Sequence, residues 1–338
     1  MPYVNIPSMI HLVVPGLLWP RESVADVTRG LELPALHTLL GRGRRARGPA
    51  VSAERWLCEA FGVQGDELPF GALRLLGEGL QPGADAWLCA DPAHLRFARD
   101  TLVIGGVPDL AQAEADQLVA TLNAHLAEYG EFLAPHPQRW YLRLARAPRI
   151  ATHPPSTVVG RTLEPFLPQG DEAHDWRRLI NEAQVILHNH PLNAAREAEG
   201  RPTANSLWLW GAGPLPERVA APAARIHAAH PLASGLARQA GVPAAAPPRG
   251  FGDAVPQGLT FLETLAEPAQ RLDAAAWRTG LTELEARWFA PLLAALKARR
   301  LDGLRLTALG DEATVDVSIG PGDLWKLWRR PRTLAELT

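Results

Sequence analysis

Short apolar runs near both ends of the chain alternate with segments of helical periodicity, and this alternation restricts the fold more than any other feature. Ile10–Leu18 (IHLVVPGLL) and Gly303–Leu309 are strand-like, whereas Ala274–Arg300 has the length and pattern of a helix. Strands that alternate with helices are typical of a parallel sheet covered by helices. The sequence therefore predicts an α/β fold whose mostly parallel, doubly wound sheet is built from both terminal segments.

The middle of the chain follows a different order. A strand-like run, Thr101–Val107, precedes an amphipathic helix over about 110–128, and two more strand candidates follow at Glu131–Ala134 and Arg139–Ala145. The order strand, helix, strand, strand predicts a small α+β module. We place this inserted domain at 95–172 and the sheet core at 1–94 and 173–338.

Composition excludes several classes of protein. The 338 residues carry a net charge of −2. The chain has only two cysteines, Cys58 and Cys89, and this count excludes a disulfide scaffold and a Cys-rich zinc module. No apolar run approaches the roughly 18 residues of a membrane span, and the start lacks the pattern of a signal peptide. We expect a cytoplasmic protein with no nucleic-acid partner and no membrane partner, in which both thiols lie in the core and the basic run 41–48 forms a solvated turn.

The densest polar cluster runs through HNHPLNAAREAEGRPTANSLWLWGAG, starting at His188. Two interpretations remain open: a ligand loop at the carboxyl end of a strand, including a His-x-His metal pair, or a structural loop held by asparagines beside core tryptophans. Pro191 must end or kink the preceding helix at His190. We expect Asn193, Arg196 and Asn205 to be at least half buried and bonded to backbone around Gly211–Gly213. The candidate pocket residues are His188, His190, Asn193, Arg196, Asn205, Trp208, Trp210, Gly211 and Gly213.

This run resembles a motif of the archaeal-type cofactor-independent phosphoglycerate mutases, members of the alkaline phosphatase superfamily. It is also similar to a bacterial group of phosphoglycerate-mutase homologues described as regulatory proteins of the pathogenicity-factor type. The resemblance implies an alkaline-phosphatase-like core with an inserted α+β domain. It also implies two divalent ions, Mn or Mg, and a Ser or Thr nucleophile, for which Ser52 stands at about the right place.

The metal ligands that the resemblance implies are missing from this sequence. The family carries Asp-Gly after the first strand, where this chain has Val14-Pro15-Gly16-Leu17. A late strand should end in Asp-His, but 309–312 reads LGDE; the segment 261–272 contains no histidine, and none follows His230. Carboxylates alone do not recreate such a centre. We expect no bound cofactor and a binding or regulatory role; the alternative is a Mn- or Mg-dependent phosphomutase or phosphohydrolase that uses Ser52.

Two further patches bear on ligands and partners. Arg139, Tyr141 and Arg143 share one face of a predicted strand, which either binds a phosphate or carboxylate group or is simply solvated. Trp325 and Trp328, next to two arginines, either dock a protein partner or pack the terminal segment on the core. We expect the ligand to be a small phosphorylated or otherwise anionic molecule.

Overall fold

The computed structural model describes residues 9–98, 101–253 and 258–337. The chain divides into two compact units. The first combines Met1–Trp56 with Ala221–Thr338, and the second is the continuous stretch Leu57–Ala220.

The strands, in chain order, are β1 (Met9–Pro15), β2 (Arg44–Gly48), β3 (Ala86–Ala98), β4 (Thr101–Gly106), β5 (Glu131–His136), β6 (Arg139–Leu144), β7 (Ser206–Pro214), β8 (Arg225–His227), β9 (Ala244–Ala245), β10 (Gly258–Phe261), β11 (Gly303–Leu309) and β12 (Thr314–Ile319). The α-helices are α1 (Val24–Val27), α2 (Pro34–Arg42), α3 (Ala53–Ala60), α4 (Phe70–Gly77), α5 (Gln112–Leu126), α6 (Pro155–Val158), α7 (Ala173–His188), α8 (Pro191–Ala198), α9 (Pro231–Gln239), α10 (Ala266–Gln270), α11 (Ala274–Leu284) and α12 (Ala290–Lys297). A π-helical turn, Glu285–Phe289, joins the last two.

The first unit is built on a seven-stranded sheet in the order β2-β12-β11-β1-β10-β8-β9. β1 lies near its centre, parallel to both β10 and β11, and its residues 12–15 are buried, as in a sheet covered on both faces. Only β12 and β2 run antiparallel to their neighbours. The α/β class and the mostly parallel sheet from both terminal segments are therefore confirmed.

The basic run is a strand and not a turn, which corrects the prediction for 41–48. Its residues Arg44–Gly48 pair with β12 and form the edge of the large sheet. Because every side chain from Arg44 to Arg47 is exposed, this strand shows no apolar alternation in the sequence.

A buried carboxylate fixes one of the covering helices of the first unit. Glu285, in the π-helical turn, accepts hydrogen bonds from the backbone N–H groups of Ala35 and Leu36 at 2.7 and 3.0 Å. These groups open α2, which begins at Pro34 and has no side-chain cap of its own. A carboxylate at a helix N-terminus accepts hydrogen bonds from the unpaired backbone N–H groups there. It also interacts favourably with the positive end of the helix dipole.

The second unit is α+β. Its five-stranded sheet is antiparallel, in the order β4-β3-β6-β5, with β7 also paired to β3. The helices α5 and α7 contribute Leu118, Leu122 and Leu179 to one core with Trp140 of the sheet. This unit is wider than the predicted interval 95–172, because β3 and β7 hydrogen-bond to each other and β3 also to strands of that interval.

The run SLWLW thus belongs to the sheet of the second unit, not to the large sheet of the first. Within the three described ranges, no helix is long and apolar enough to cross a membrane.

Candidate functional site

The carboxyl ends of β1, β10 and β11 meet at one edge of the large sheet, where ligands of open α/β sheets bind. At the turn after β1, Gly16 has φ +76° and donates its N–H to the Leu309 carbonyl at 2.9 Å. A Cβ atom on Gly16 would overlap the Leu265 carbonyl oxygen. The Leu265 backbone therefore fills the space beside Gly16 at the end of β1.

Apolar side chains close the same place. The indole Nε1 of Trp277 donates to the Gly16 carbonyl at 2.7 Å, and its ring lies 5.1 Å from that of Trp19. Both tryptophans are buried, as are Leu17 and Leu265. Buried apolar side chains therefore surround the turn at Gly16.

Ser52, the candidate nucleophile, lies immediately before α3. Its hydroxyl accepts a hydrogen bond from the Arg55 backbone N–H at 3.2 Å, which is the geometry of a helix N-cap. The hydroxyl thus satisfies one of the helix's unpaired donors. Capping α3 is a structural role that accounts for a serine at this position.

A pair of carboxyl groups lies near the edge of the sheet. Glu54 is buried in the first turn of α3, and Glu263 follows β10 by two residues. Burial, and then the negative charge of Glu54, raise the pKa of Glu263 to about 7. Glu263 therefore exchanges a proton near neutral pH.

The donor set does not fit a pair of divalent ions. Among the described residues, no group of three or more His, Cys, Asp or Glu side chains could hold a metal ion. After β11, Asp311 and Glu312 line a small cavity with Leu18, Trp19 and Arg47, and the Glu312 carboxylate accepts from the Arg21 backbone N–H at 3.4 Å. Two close divalent ions need several carboxylates and imidazoles around them, and the turn after β1 supplies none.

An open cleft of about 310 Å³ lies beside Glu263. It contains side chains of both charges together with an apolar wall. The lining residues include Glu263, Glu283, Arg249 and Arg287. The apolar wall is formed by Leu262, Leu284 and Trp288. We call this space the Glu263 cleft.

The two histidines of the motif do not form a metal pair. His188 is exposed at the end of α7, whereas the Nδ1 atom of His190 accepts from the Leu192 backbone N–H at 3.2 Å and caps α8. Burial lowers the pKa of His190, which keeps the ring neutral for this role. The predicted break at His190 is confirmed, because α7 ends at His188 and α8 begins at Pro191.

Asn193 and Arg196 are both buried and hold backbone. The Asn193 amide donates to the carbonyls of Leu187 and Ala204 and accepts from the Ala204 N–H, at 2.8 to 3.0 Å. The Arg196 guanidinium binds Glu114 at 2.9 Å and the Pro202 and Asp109 carbonyls at 2.9 and 2.8 Å.

Asn205 is half-buried and pairs with the backbone of Leu95, donating at 2.9 Å and accepting at 2.7 Å. Burial and backbone bonding are as predicted for Asn193, Arg196 and Asn205. The location is not: their partners lie at 95, 109, 187, 202 and 204, not around Gly211–Gly213.

The tryptophans and glycines of the motif belong to the core of the second unit. Trp208 donates to the His153 carbonyl and Trp210 to the Asp91 carboxylate, both at 2.8 Å. Gly211 has φ +68°, and a Cβ on it would overlap the ring of Phe70. These glycines admit neighbouring side chains rather than an anion, since Gly213 makes the same close approach to Pro69.

Sequence reasoning missed the buried ion pair of the second unit. Arg74 binds Asp91 with two bonds of 2.8 and 2.6 Å and also donates to the Tyr141 hydroxyl at 2.9 Å. Burial opposes the charge of Arg74, but the Asp91 carboxylate outweighs it and raises the pKa of Arg74 above its ordinary value. In the sequence, the sign of this buried pair is Asp91 inside the apolar run WLCADPA. With Trp210 also bonded to Asp91, this network has its polar atoms paired and serves the fold.

One face of β6 carries Arg139, Tyr141 and Arg143, and its polar groups are paired within the protein. Tyr141 is buried against Arg74 and Glu78, Arg139 pairs with Glu78 at 2.9 Å, and Arg143 pairs with Asp85 at 2.6 Å. The two thiols are buried core groups, as predicted.

The chain resembles the cofactor-independent phosphoglycerate mutases. A family model described as 2,3-bisphosphoglycerate-independent phosphoglycerate mutase matches residues 71–193, all within the second unit. A mutase of that description from Methanosarcina barkeri is 31% identical over 140 residues, which are 38% of this chain and 35% of the relative. A second, from Methanothermobacter thermautotrophicus, is 30% identical over 151 residues, 43% of this chain and 37% of the relative.

The match thus spans little more than a third of the length of these curated relatives. The fold likeness extends further. The PH0037 protein of Pyrococcus horikoshii has a TM-score of 0.53 at 15% identity, with 98% of this chain and 92% of that chain covered. This likeness shows that the two chains share a fold, and it speaks of the fold alone.

Proposed function

We propose that this phosphoglycerate-mutase-like protein lacks the two-metal phosphotransfer centre and acts as a cytoplasmic binding or regulatory protein. The observation that carries the proposal is the turn after β1. Its backbone packs against the Leu265 carbonyl and bonds to Trp277, so that a buried apolar plug stands where the family places its first metal ligand. The regulatory-protein group named above, which the sequence resembles, fits this role.

Ser52 is not activated as a nucleophile on this proposal. Its hydroxyl is engaged as a helix cap, and a free serine hydroxyl needs a base or a metal to lose its proton. The Glu263 cleft is the place where we expect the small ligand to bind, since it lies at the carboxyl end of a parallel strand and carries two arginines.

We assign the protein partner to the C-terminal segment around Trp325 and Trp328. Their residues are 73% and 77% exposed, and Leu327 between them is 70% exposed, so this part of the segment does not pack on the core. Arg330 is exposed and makes no ion pair among the described residues, whereas the exposed Arg44 has Asp323 as an electrostatic neighbour. Exposed tryptophan flanked by arginine is the composition of an interface centre, and the positive charge favours an acidic partner surface.

The proposal is tested by assaying the purified chain with 2- and 3-phosphoglycerate across a Mn titration, beside Ser52→Ala. We expect no turnover of either compound by either protein. Mn-stimulated turnover that Ser52→Ala abolishes would establish the alternative, a metal-dependent phosphomutase. A matched partner test compares Trp328→Ala with the helix-cap variant Ser52→Ala in pull-downs, where only Trp328→Ala should lose a captured partner.

A further inference from the structure

The Glu263 cleft brings together four charged side chains that have no partner. The exposed residues Arg249, Arg287 and Glu283 and the half-buried Glu263 line the cleft. None of the four makes an ion pair or hydrogen bond through its side chain with another described residue. Elsewhere in this chain, arginines close to carboxylates pair with them, as Arg74 does with Asp91 and Arg305 with Asp316. A mixed set of unpaired charges around one space points to a ligand that supplies the missing partners.

The two signs of charge restrict what that ligand can be. A simple anion attracted by the guanidinium groups would lie beside two carboxyl groups, and a simple cation would lie beside two arginines. A molecule that carries both charges avoids both penalties. Guanidinium groups bind carboxylates in a forked, charge-assisted geometry, while a buried carboxylate suits an ammonium group.

The size and walls of the cleft narrow the class. A volume of about 310 Å³ is at the lower end of the range for small-molecule pockets, about 300–1,000 Å³. One side is formed by Leu262, Leu284 and Trp288, which offer contact to an apolar substituent. A free amino acid with an apolar side chain matches the volume, the charges and the wall.

We infer that the Glu263 cleft binds a small zwitterion of the α-amino-acid class, with its carboxylate at Arg249 and Arg287 and its ammonium group at Glu263. This inference deepens the proposed metal-free binding role and rests on it. Glu283, which is exposed, completes the negative side at the rim of the cleft. The ligand takes part in no chemical step; binding alone would be the signal that the protein transmits.

The test begins with a thermal-shift screen of the twenty L-amino acids at pH 8, where Glu263 is ionised. The best ligand then goes into titration calorimetry beside its deaminated acid and its decarboxylated amine. For leucine these are 4-methylpentanoate and 3-methylbutylamine. We expect the amino acid to bind at least about tenfold tighter than either, the effect of one charge-assisted hydrogen bond.

Single variants assign the two ends of the ligand. Glu263→Gln should weaken the amino acid about tenfold or more and leave the acid unchanged, and Arg287→Gln should weaken both and leave the amine unchanged. Arg271→Gln breaks a surface pair with Glu267 in the same unit and should change neither. Glu283→Gln gives a second carboxyl test if Glu263→Gln fails to fold.

The outcomes separate this inference from the proposed function. If none of the twenty amino acids binds, or if the acid binds as tightly as the amino acid, the zwitterion assignment is wrong while the metal-free role stands. If phosphoglycerate binds here only in the presence of Mn, the proposed function itself is wrong.

Discussion

The buried polar network of the second unit and the Glu263 cleft of the first unit differ in how their charged groups are paired. In the second unit, Arg74 and Asp91 are buried and fully paired, and Asn193 makes three bonds to backbone. In the first unit, the charged groups of the Glu263 cleft stay unpaired. Across the described ranges, the buried side-chain atoms without a hydrogen-bond partner are Arg42 Nε, His227 Nδ1 and Thr314 Oγ1, all in the first unit.

The polar residues of the second unit hold its fold, whereas we propose that those of the Glu263 cleft bind a ligand. The family model matches only the second unit, where the polar residues hold strands and loops together. Such residues are costly to replace whether or not the protein has an activity, because a buried group that loses its partner destabilises the native state. The first unit provides the carboxyl edge of the parallel sheet, and there the turn after β1 is closed by Trp277.

The largest expected effect comes from Arg74→Met in the second unit. It leaves the Asp91 carboxylate buried without its guanidinium partner, and removing one member of a buried pair costs about 3–5 kcal/mol in the free energy of unfolding. Hydrogen exchange should report the loss at the amides of β3 and β7 and not at those of β1 and β11.

The matched control is Arg143→Met, which breaks an exposed pair with Asp85 on the same sheet. We expect little or no change in the free energy of unfolding there, because water screens an exposed ion pair. Equal losses for the two variants would mean that the buried network is no more important than a surface ion pair.

Asn193→Ala should rank next. The substitution leaves the Ala204 N–H and two carbonyls without their partner in a buried place, which costs on the order of 2–3 kcal/mol in urea unfolding. Asn205→Ala removes two bonds from a half-buried position and should cost about 1 kcal/mol. A reversed order would show that Asn205 has a role beyond holding Leu95.

Stability of the first unit should depend on the protonation of Glu263. Its pKa is raised to about 7 in the folded protein, against the ordinary value of 4.5 for a glutamate. The folded state therefore binds the Glu263 proton more tightly than the unfolded state does. The stability that this proton contributes is fully present below pH 4.5 and is lost as pH rises through 7. We expect the free energy of unfolding to fall by on the order of 3 kcal/mol between pH 4.5 and 8 at this group.

Glu263→Gln supplies the control, because it removes the titrating group and should flatten this part of the profile. Arg271→Gln should leave the profile of the parent protein unchanged. A profile that persists in Glu263→Gln would assign the titration to another group.

The smallest effect is expected for Ser52→Ala. Loss of an N-cap costs about 1 kcal/mol, and Ser52→Asp should retain most of the stability because its carboxylate also caps a helix. Thermal unfolding of the three proteins measures this order. A Ser52→Ala protein as stable as the parent would show that the hydroxyl is not needed as a cap.

Periodicity was enough to predict the elements whose burial is regular. The strand β11 and the helix α5 follow directly from apolar spacing. The edge strand β2 could not be found in this way because its side chains are exposed arginines. The run SLWLW predicts a buried strand, but which sheet it joins depends on its pairing with β3, more than a hundred residues away.

For the candidate site, the sequence predicts only which metal ligands are missing. The missing Asp after β1 and the missing late histidines are visible in the sequence, whereas the plug formed by Trp277 and Leu265 depends on contacts between distant segments. Arg249 and Arg287 gave no signal, since nothing local shows that two separated arginines share a cleft with Glu263.

The most direct measurement is the metal content of the full chain after incubation with excess Mn and gel filtration, determined by mass spectrometry beside Pro15→Asp. The variant places a carboxylate before Gly16, as in the Asp-Gly of the family that the sequence resembles. We expect less than about 0.1 Mn per chain for both proteins, because one carboxylate does not assemble a two-ion site against a buried apolar plug. Two tightly held Mn ions per chain in the parent protein would contradict the loss of the metal centre.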